Sequence, residues 1–163
     1  PIFSNILFVF CTFVGVCLKI KFKMNFIYEL EFKVRDYECD LQGIVNNANY
    51  QHYLEHTRHE FLLENDLSFA QLHNEGIDLV VARIEISYKV PLRSKDRFIS
   101  KLNLVKDGIK YTFFQHIYRL PDMKLCVRAK VENVATINGQ LAHCQFLDDF
   151  LEKINTKYKN NNG

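Results

Sequence analysis

The chain has 163 residues, 48% hydrophobic and 25% charged, with six glycines, three prolines and no low-complexity tract. This fits one globular domain with a sizeable core and excludes a disordered, collagen-like or linker-rich chain. The formal charge of +2 rests on Lys19, Lys21 and Lys23: from Met24 onward 18 basic residues face 19 acidic ones, so no basic field exists to attract nucleic acid.

Residues 1–18 carry no charge, and Ile6–Leu18 is an apolar run of 13 residues. It is short for a membrane span and lacks the basic start and small-residue cleavage site of a signal peptide, so a membrane role is not expected. Residues 1–23 read as an apolar extension of uncertain status, with a truncated membrane anchor or signal segment, or an added strand, as other readings. Residues 24–163 form the single domain. Phe26–Arg35 alternates with aromatic and β-branched residues and predicts a strand. The loop DYECDLQGIVNN follows, with Gly43 as its turn residue. From Asn49 the period changes: Tyr50, Tyr53, Leu54, Thr57 and Phe61 fall on one stripe of a helix ending near Asn65–Asp66. Ser68 caps a short second helix that Gly76 closes. Four strands are then predicted over Ile77–Val90, Arg97–Lys106, Ile109–Leu120 and Leu125–Ile137. Asp107-Gly108, Pro121-Asp122 and Asn138-Gly139 supply the turns between and after them. Phe146–Tyr158 predicts a closing helix. The class is α+β: a curved antiparallel sheet around one long helix.

The segment Val34–Leu62 carries Asp40, Gly43, Val45, Asn47 and Tyr50 in the spacing D-x-x-G-[IVH]-V-x-[YN]-x-x-Y, followed by Glu55 and Arg58 as E-x-x-R. This resembles the hotdog-fold thioesterases of the 4-hydroxybenzoyl-CoA thioesterase-like branch. Val45-Asn46-Asn47 and Pro91-Leu92-Arg93-Ser94 are similar to plant acyl-lipid thioesterases and their bacterial relatives. The similarity spans about residues 26–150. It implies a hotdog fold and hydrolysis of an acyl thioester of coenzyme A or acyl carrier protein, without a cofactor. It also implies a homodimer or homotetramer with sheets joined edge to edge and sites at the subunit interface.

Thioester hydrolysis needs an attacking group and a stabiliser for the developing oxyanion. Asp40 can attack the carbonyl carbon itself or activate a water as general base. The first N–H groups of a helix lack intrahelical partners and lie at its positive end. The family role carried over by position makes the Asn47 N–H the oxyanion donor. Gly43 lets the loop bring Asp40 close. Gly43, Val45 and Asn46 are candidate substrate contacts; Asp40 also suits an Asx-turn, Asn46 and Asn47 suit loop support, and Tyr50 suits either the core or substrate contact. Arg93 and Lys95, with Arg97, are candidate partners for coenzyme A phosphates or the ends of a solvated hairpin. Glu55 and Arg58 are expected to pair at the surface or an interface.

His52, Glu55 and His56 fit H-x-x-E-H, with His59 a turn further, but the same face suits solvent and no further ligand is identified. A hotdog hydratase would place His where Val45 stands. Plant acyl-carrier thioesterases commonly carry Asn and His where this chain has Gln42 and Ile44, which favours a single-carboxylate scheme. Cys39 as nucleophile has no neighbouring base in sequence. An acyl-binding protein without turnover is the non-enzymatic alternative. Five cysteines without a C-x-x-C pair point to a reducing, cytoplasmic setting.

Overall fold

A computed structural model describes residues 24–160; the apolar run and the proposed 1–23 extension lie outside the described residues. Strand β1 (Tyr28–Lys33) precedes helix α1 (Asn47–Leu63) and the short α2 (Phe69–Asn74). Strands β2 (Ile77–Tyr88), β3 (Arg97–Asp107), β4 (Lys110–Leu120), β5 (Lys124–Ile137) and the two-residue β6 (Gln140–Leu141) lead to α3 (Gln145–Asn160). The order across the antiparallel sheet is β1-β3-β4-β5-β2, with β6 paired to β5. Strands β1 and β2 are therefore the edges.

The alternation of β3 explains which face is covered. Phe98, Ser100, Leu102 and Leu104 are buried, while the residues between them are at least partly exposed. Their inward neighbours on β4 are Tyr111, Phe113, Gln115 and Ile117. Helix α1 lays its stripe on this face: Tyr50, Tyr53, Leu54, Thr57, Arg58, Phe61 and Leu62 are all buried. The core forms two clusters. Phe61 and Leu62 join Leu102, Phe113 and the α3 residues Leu147, Leu151 and Ile154. Tyr50, Tyr53 and Leu54 join Val34, Val45, Leu92, Phe98 and Val127 beneath the loop that precedes α1. The polar groups between α1 and the sheet bond to one another. Thr57 donates to the Tyr53 carbonyl at 2.7 Å, and Ser100 Oγ lies 2.9 Å from Thr57 Oγ1. Gln115 donates to the Leu54 carbonyl and accepts from Arg58 at 3.0 Å.

The expected surface pairing of Arg58 with Glu55 is therefore corrected. Arg58 points under the sheet, is 8% exposed, and stands over the Phe113 ring. Burial lowers the pKa of its guanidinium. Glu55 stays outside, 4.0 Å from His59. Arg58 follows Thr57 at the border of the buried stripe, and its long side chain turns in toward the Gln115 acceptor.

The other face of the sheet is charged and aromatic. Lys101 pairs with Glu29 at 2.6 Å and Lys130 with Glu132 at 2.6 Å. His116 lies among them beneath Phe26, their ring centroids 4.9 Å apart. No helix among the described residues is long and apolar enough to cross a membrane.

Candidate active site

The site is built by the chain between β1 and α1. After Arg35 a short 3-10 turn, Asp36–Glu38, folds the Glu38 side chain inward. Its carboxylate accepts from the Arg35 N–H at 2.6 Å and from the Tyr53 hydroxyl at 2.7 Å. The Glu38 carbonyl accepts from the Asn46 N–H at 2.9 Å and from Asn49 Nδ2 at 2.7 Å. One residue thus anchors both strands of the loop to the helix, and the Tyr53 hydroxyl, buried against it, has its pKa driven well above the usual phenol range.

Beyond Glu38, Cys39 and Val45 pair as an isolated antiparallel bridge. The Asp40 N–H donates to the Ile44 carbonyl at 2.9 Å, and the Gly43 N–H to the Asp40 carbonyl at 3.0 Å. Asp40–Gly43 is thus a tight turn at the loop tip, and Gly43 sits at φ +72°, where a Cβ would be strained. One oxygen of Asp40 accepts from the Gln42 N–H at 2.8 Å, the Asx-turn geometry that its sequence position allowed. The other has no hydrogen-bond partner among the described residues, and the side chain is half-buried.

The loop delivers the chain into the N-terminus of α1. Asn46 is the cap: its Oδ1 accepts from the Ala48 N–H at 3.0 Å and its carbonyl from the Asn49 N–H at 2.9 Å. The Asn47 N–H has no acceptor among the described residues, and it stands at the positive end of a 17-residue helix. A preorganised donor of this kind can stabilise an oxyanion without a charged side chain.

The third wall is the connection from β2 to β3. The Val45 N–H donates to the Leu92 carbonyl at 2.8 Å, and the Leu92 N–H to the Tyr50 hydroxyl at 2.9 Å. Arg93 Nη1 donates to the Gly43 carbonyl at 3.3 Å. The Tyr88 hydroxyl, at the end of edge strand β2, donates to the Asn47 carbonyl at 3.2 Å.

Among the predicted residues the structure gathers Asp40, Gly43, Asn46, Asn47 and Arg93 around the loop tip and helix start. Val45 and Tyr50 are 3% exposed and lie in the core below them. Burial pushes the Tyr50 phenol up to about 12. Lys95 takes a left-handed φ of +70° and faces a surface hollow of about 900 Å³ between β1 and α1, shared with Phe32, Glu38, His52 and Tyr53. Arg97 is engaged by Glu31, with Nε–Oε1 2.6 Å. Along the exposed face of α1, His56 lies 3.9 Å from Glu60, and no three potential metal ligands converge among the described residues. Sequence reasoning missed Glu38, Asn49, Tyr53 and Tyr88 as supports. Tyr53 belongs to the helical stripe, but its hydroxyl partner lies 15 residues earlier, which no local pattern reveals.

Comparison with known proteins bears on this arrangement. The family model of the thioesterase-like superfamily matches residues 34–154, from the end of β1 into α3. This chain belongs to that superfamily. It is 36% identical over 108 residues to the chloroplastic acyl-acyl carrier protein thioesterase ATL3 of Arabidopsis thaliana, covering 66% of this chain and 57% of the plant protein. The chain therefore spans little more than half the length of that relative. Over 119 residues it is 33% identical to a putative esterase of Aquifex aeolicus, covering 72% of this chain and 90% of the other. Among solved structures, the probable thioesterase YbaW of Escherichia coli superimposes with a TM-score of 0.69 at 28% identity, covering 77% of this chain and 97% of that one. These matches bear out the hotdog fold of this thioesterase-like member.

Proposed function

We propose that the protein hydrolyses acyl thioesters, with Asp40 as nucleophile or general base and the Asn47 N–H as oxyanion donor. The observation that carries this reading is a carboxylate with one open oxygen, held by a tight turn that leads directly into a helix terminus with an open N–H. As nucleophile, the Asp40 carboxylate adds to the thioester carbonyl, the thiolate leaves and takes a proton, and water cleaves the acyl anhydride to release the acid. As base, Asp40 takes a proton from the water that attacks, and that proton goes to the leaving sulfur. In both routes negative charge grows on the carbonyl oxygen, where the Asn47 N–H and the helix dipole are most favourable.

The substrate is an acyl-CoA, with acyl carrier protein as the alternative carrier. A long-chain acyl-CoA thioesterase, FadM of Escherichia coli, is 40% identical over 63 residues, whereas ATL3 by its name acts on the carrier protein. Arg93 and Lys95 are the proposed phosphate contacts and Gly43 and Asn46 the proposed substrate contacts, whereas Val45 and Tyr50, 3% exposed, support the loop and the helix start from the core. No cofactor enters this scheme.

A homodimer or homotetramer is part of the reading. Edge strand β2 leaves Val80, Val81, Ile84 and Tyr88 38–48% exposed, and an unpaired apolar edge favours pairing with a second copy. Tyr88 also reaches Asn47, so the site abuts that edge. A cleft of about 100 Å³ between α1 and β2 has an apolar wall of Leu54, Val81, Ile84, Ile86 and Val131 and a polar rim of Gln51, Glu55 and Arg58, and would accept the start of an acyl chain along that wall once a second copy closes it. The free thiols Cys39, Cys126 and Cys144 suit a cytoplasmic setting.

The test is thiol release from acyl-CoAs of increasing length. Asp40→Asn is expected to fold and to lose activity by about a hundredfold or more, the scale of a catalytic acid–base group. Unchanged turnover in that variant would remove Asp40 from the mechanism, and turnover by neither CoA nor carrier-protein thioesters would leave an acyl-binding role.

A further inference from the structure

We infer that Arg93 is a positioning residue: its guanidinium holds the carbonyl of Gly43 and so fixes the turn that aims Asp40. The inference rests on Asp40 being the catalytic carboxylate.

The turn Asp40–Gly43 is closed by its own backbone, through Asp40 N–H to Ile44 and Gly43 N–H to Asp40, and by the Gln42 N–H on the carboxylate. These bonds shape the turn but do not attach it to the body of the domain. Attachment comes on one side from Glu38, at the base of the loop, and from the Val45–Leu92 backbone bond. At the tip, the attachment among the described residues is Arg93 Nη1 on the Gly43 oxygen, across 50 residues of sequence. Gly43 at φ +72° lacks a Cβ, and one built there would stand 3.8 Å from Arg93 Nη1, so the guanidinium lies beside the bare Cα as well as on the carbonyl.

Arg93 is itself held. Its N–H donates to Asp96 Oδ2 at 2.8 Å, and the Asp96 N–H returns to the Arg93 carbonyl at 3.1 Å. Ser94 Oγ bonds to Asp36, which ties the same turn to the start of the loop. The arginine thus projects from a fixed turn onto a loop whose tip has little else to hold it. A guanidinium is planar and permanently charged, and retains donors beyond the one on Gly43. A small displacement of a catalytic group from its reacting geometry lowers turnover far more than binding.

The discriminating substrate is an acyl-N-acetylcysteamine thioester, which has the reacting bond but no phosphate. For Arg93→Ala we expect kcat on this substrate to fall about tenfold or more, with KM changed less than about twofold, because the loss is in aim and not in substrate contact. Arg93→Lys keeps the positive charge but not the planar fork. It is expected to hold KM for acyl-CoA while kcat falls. A wild-type kcat for Arg93→Ala on the phosphate-free thioester overturns the inference. If only KM for acyl-CoA then moves, Arg93 is a phosphate contact and nothing more. Asp40→Asn run alongside separates the two failures: retained activity there defeats the catalytic reading, whereas an inactive Asp40→Asn beside a fully active Arg93→Ala defeats the positioning role alone.

Discussion

Removing one oxygen from Tyr53 tests whether the loop is held as described. In Tyr53→Phe the ring keeps its place against the stacked Phe32 and Phe98, whose centroids lie 5.7 and 4.8 Å away, so packing is preserved. What is lost is the 2.7 Å bond to the Glu38 carboxylate. Tyr53 is 6% exposed and Glu38 9%, so water cannot readily replace the hydroxyl. A hydrogen bond to a charged group contributes about 1.5–3 kcal/mol net, and loss of one partner adds the desolvation of the other. Glu38 retains the Arg35 N–H at 2.6 Å, so the expected loss is about 2 kcal/mol. For a domain of this size each kcal/mol moves Tm by about 2–4 °C, so Tyr53→Phe is expected to melt about 4–8 °C lower. Thermal melts should be run at one protomer concentration, because association would itself shift Tm. Glu38→Gln and the double variant complete a cycle in which the two substitutions are expected to be strongly non-additive. A Tyr53→Phe shift below about 1 °C, or simple additivity, would show that the hydroxyl does not anchor the loop.

Two further predictions concern buried groups away from the site. Gln115→Leu takes the acceptor from the buried Arg58 guanidinium and should lower stability to urea by about 3 kcal/mol, while Arg58→Met added to it should restore part of that loss. His116 is pushed down to about 4 by burial and then by Arg128, against about 6.5 unfolded. Between those values the unfolded chain binds the proton and the folded one does not. The stabilising effect is therefore present above pH 6.5 and lost as pH falls toward 4. His116→Phe should show a smaller drop in urea midpoint from pH 7 to pH 4.5 than the parent, and equal drops would remove His116 as the cause.

Much of the fold was legible because periodicity is a local property. The predicted strands match β1–β5 to within a few residues, since alternation and the Asp107-Gly108 turn are encoded in neighbours. The helical stripe Tyr50, Tyr53, Leu54, Thr57 and Phe61 is buried as expected. The loop motif also located Asp40, Gly43 and Asn47 as a group. Spacing alone left Asp40 between an Asx-turn and catalysis; one of its oxygens is in that turn, and the other has no hydrogen-bond partner among the described residues.

The supports of the site were decided by the tertiary structure alone. Glu38 reaches Tyr53 across 15 residues, Tyr88 reaches Asn47 across 41, and Arg93 reaches Gly43 across 50. Arg58 likewise turned inward because Gln115, 57 residues later, offers a buried acceptor. A buried polar group must find a partner wherever the fold supplies one. The chain's local pattern decides which faces are apolar. Which polar atoms meet is set only when sheet curvature and helix placement bring distant segments within about 3 Å, the reach of a hydrogen bond.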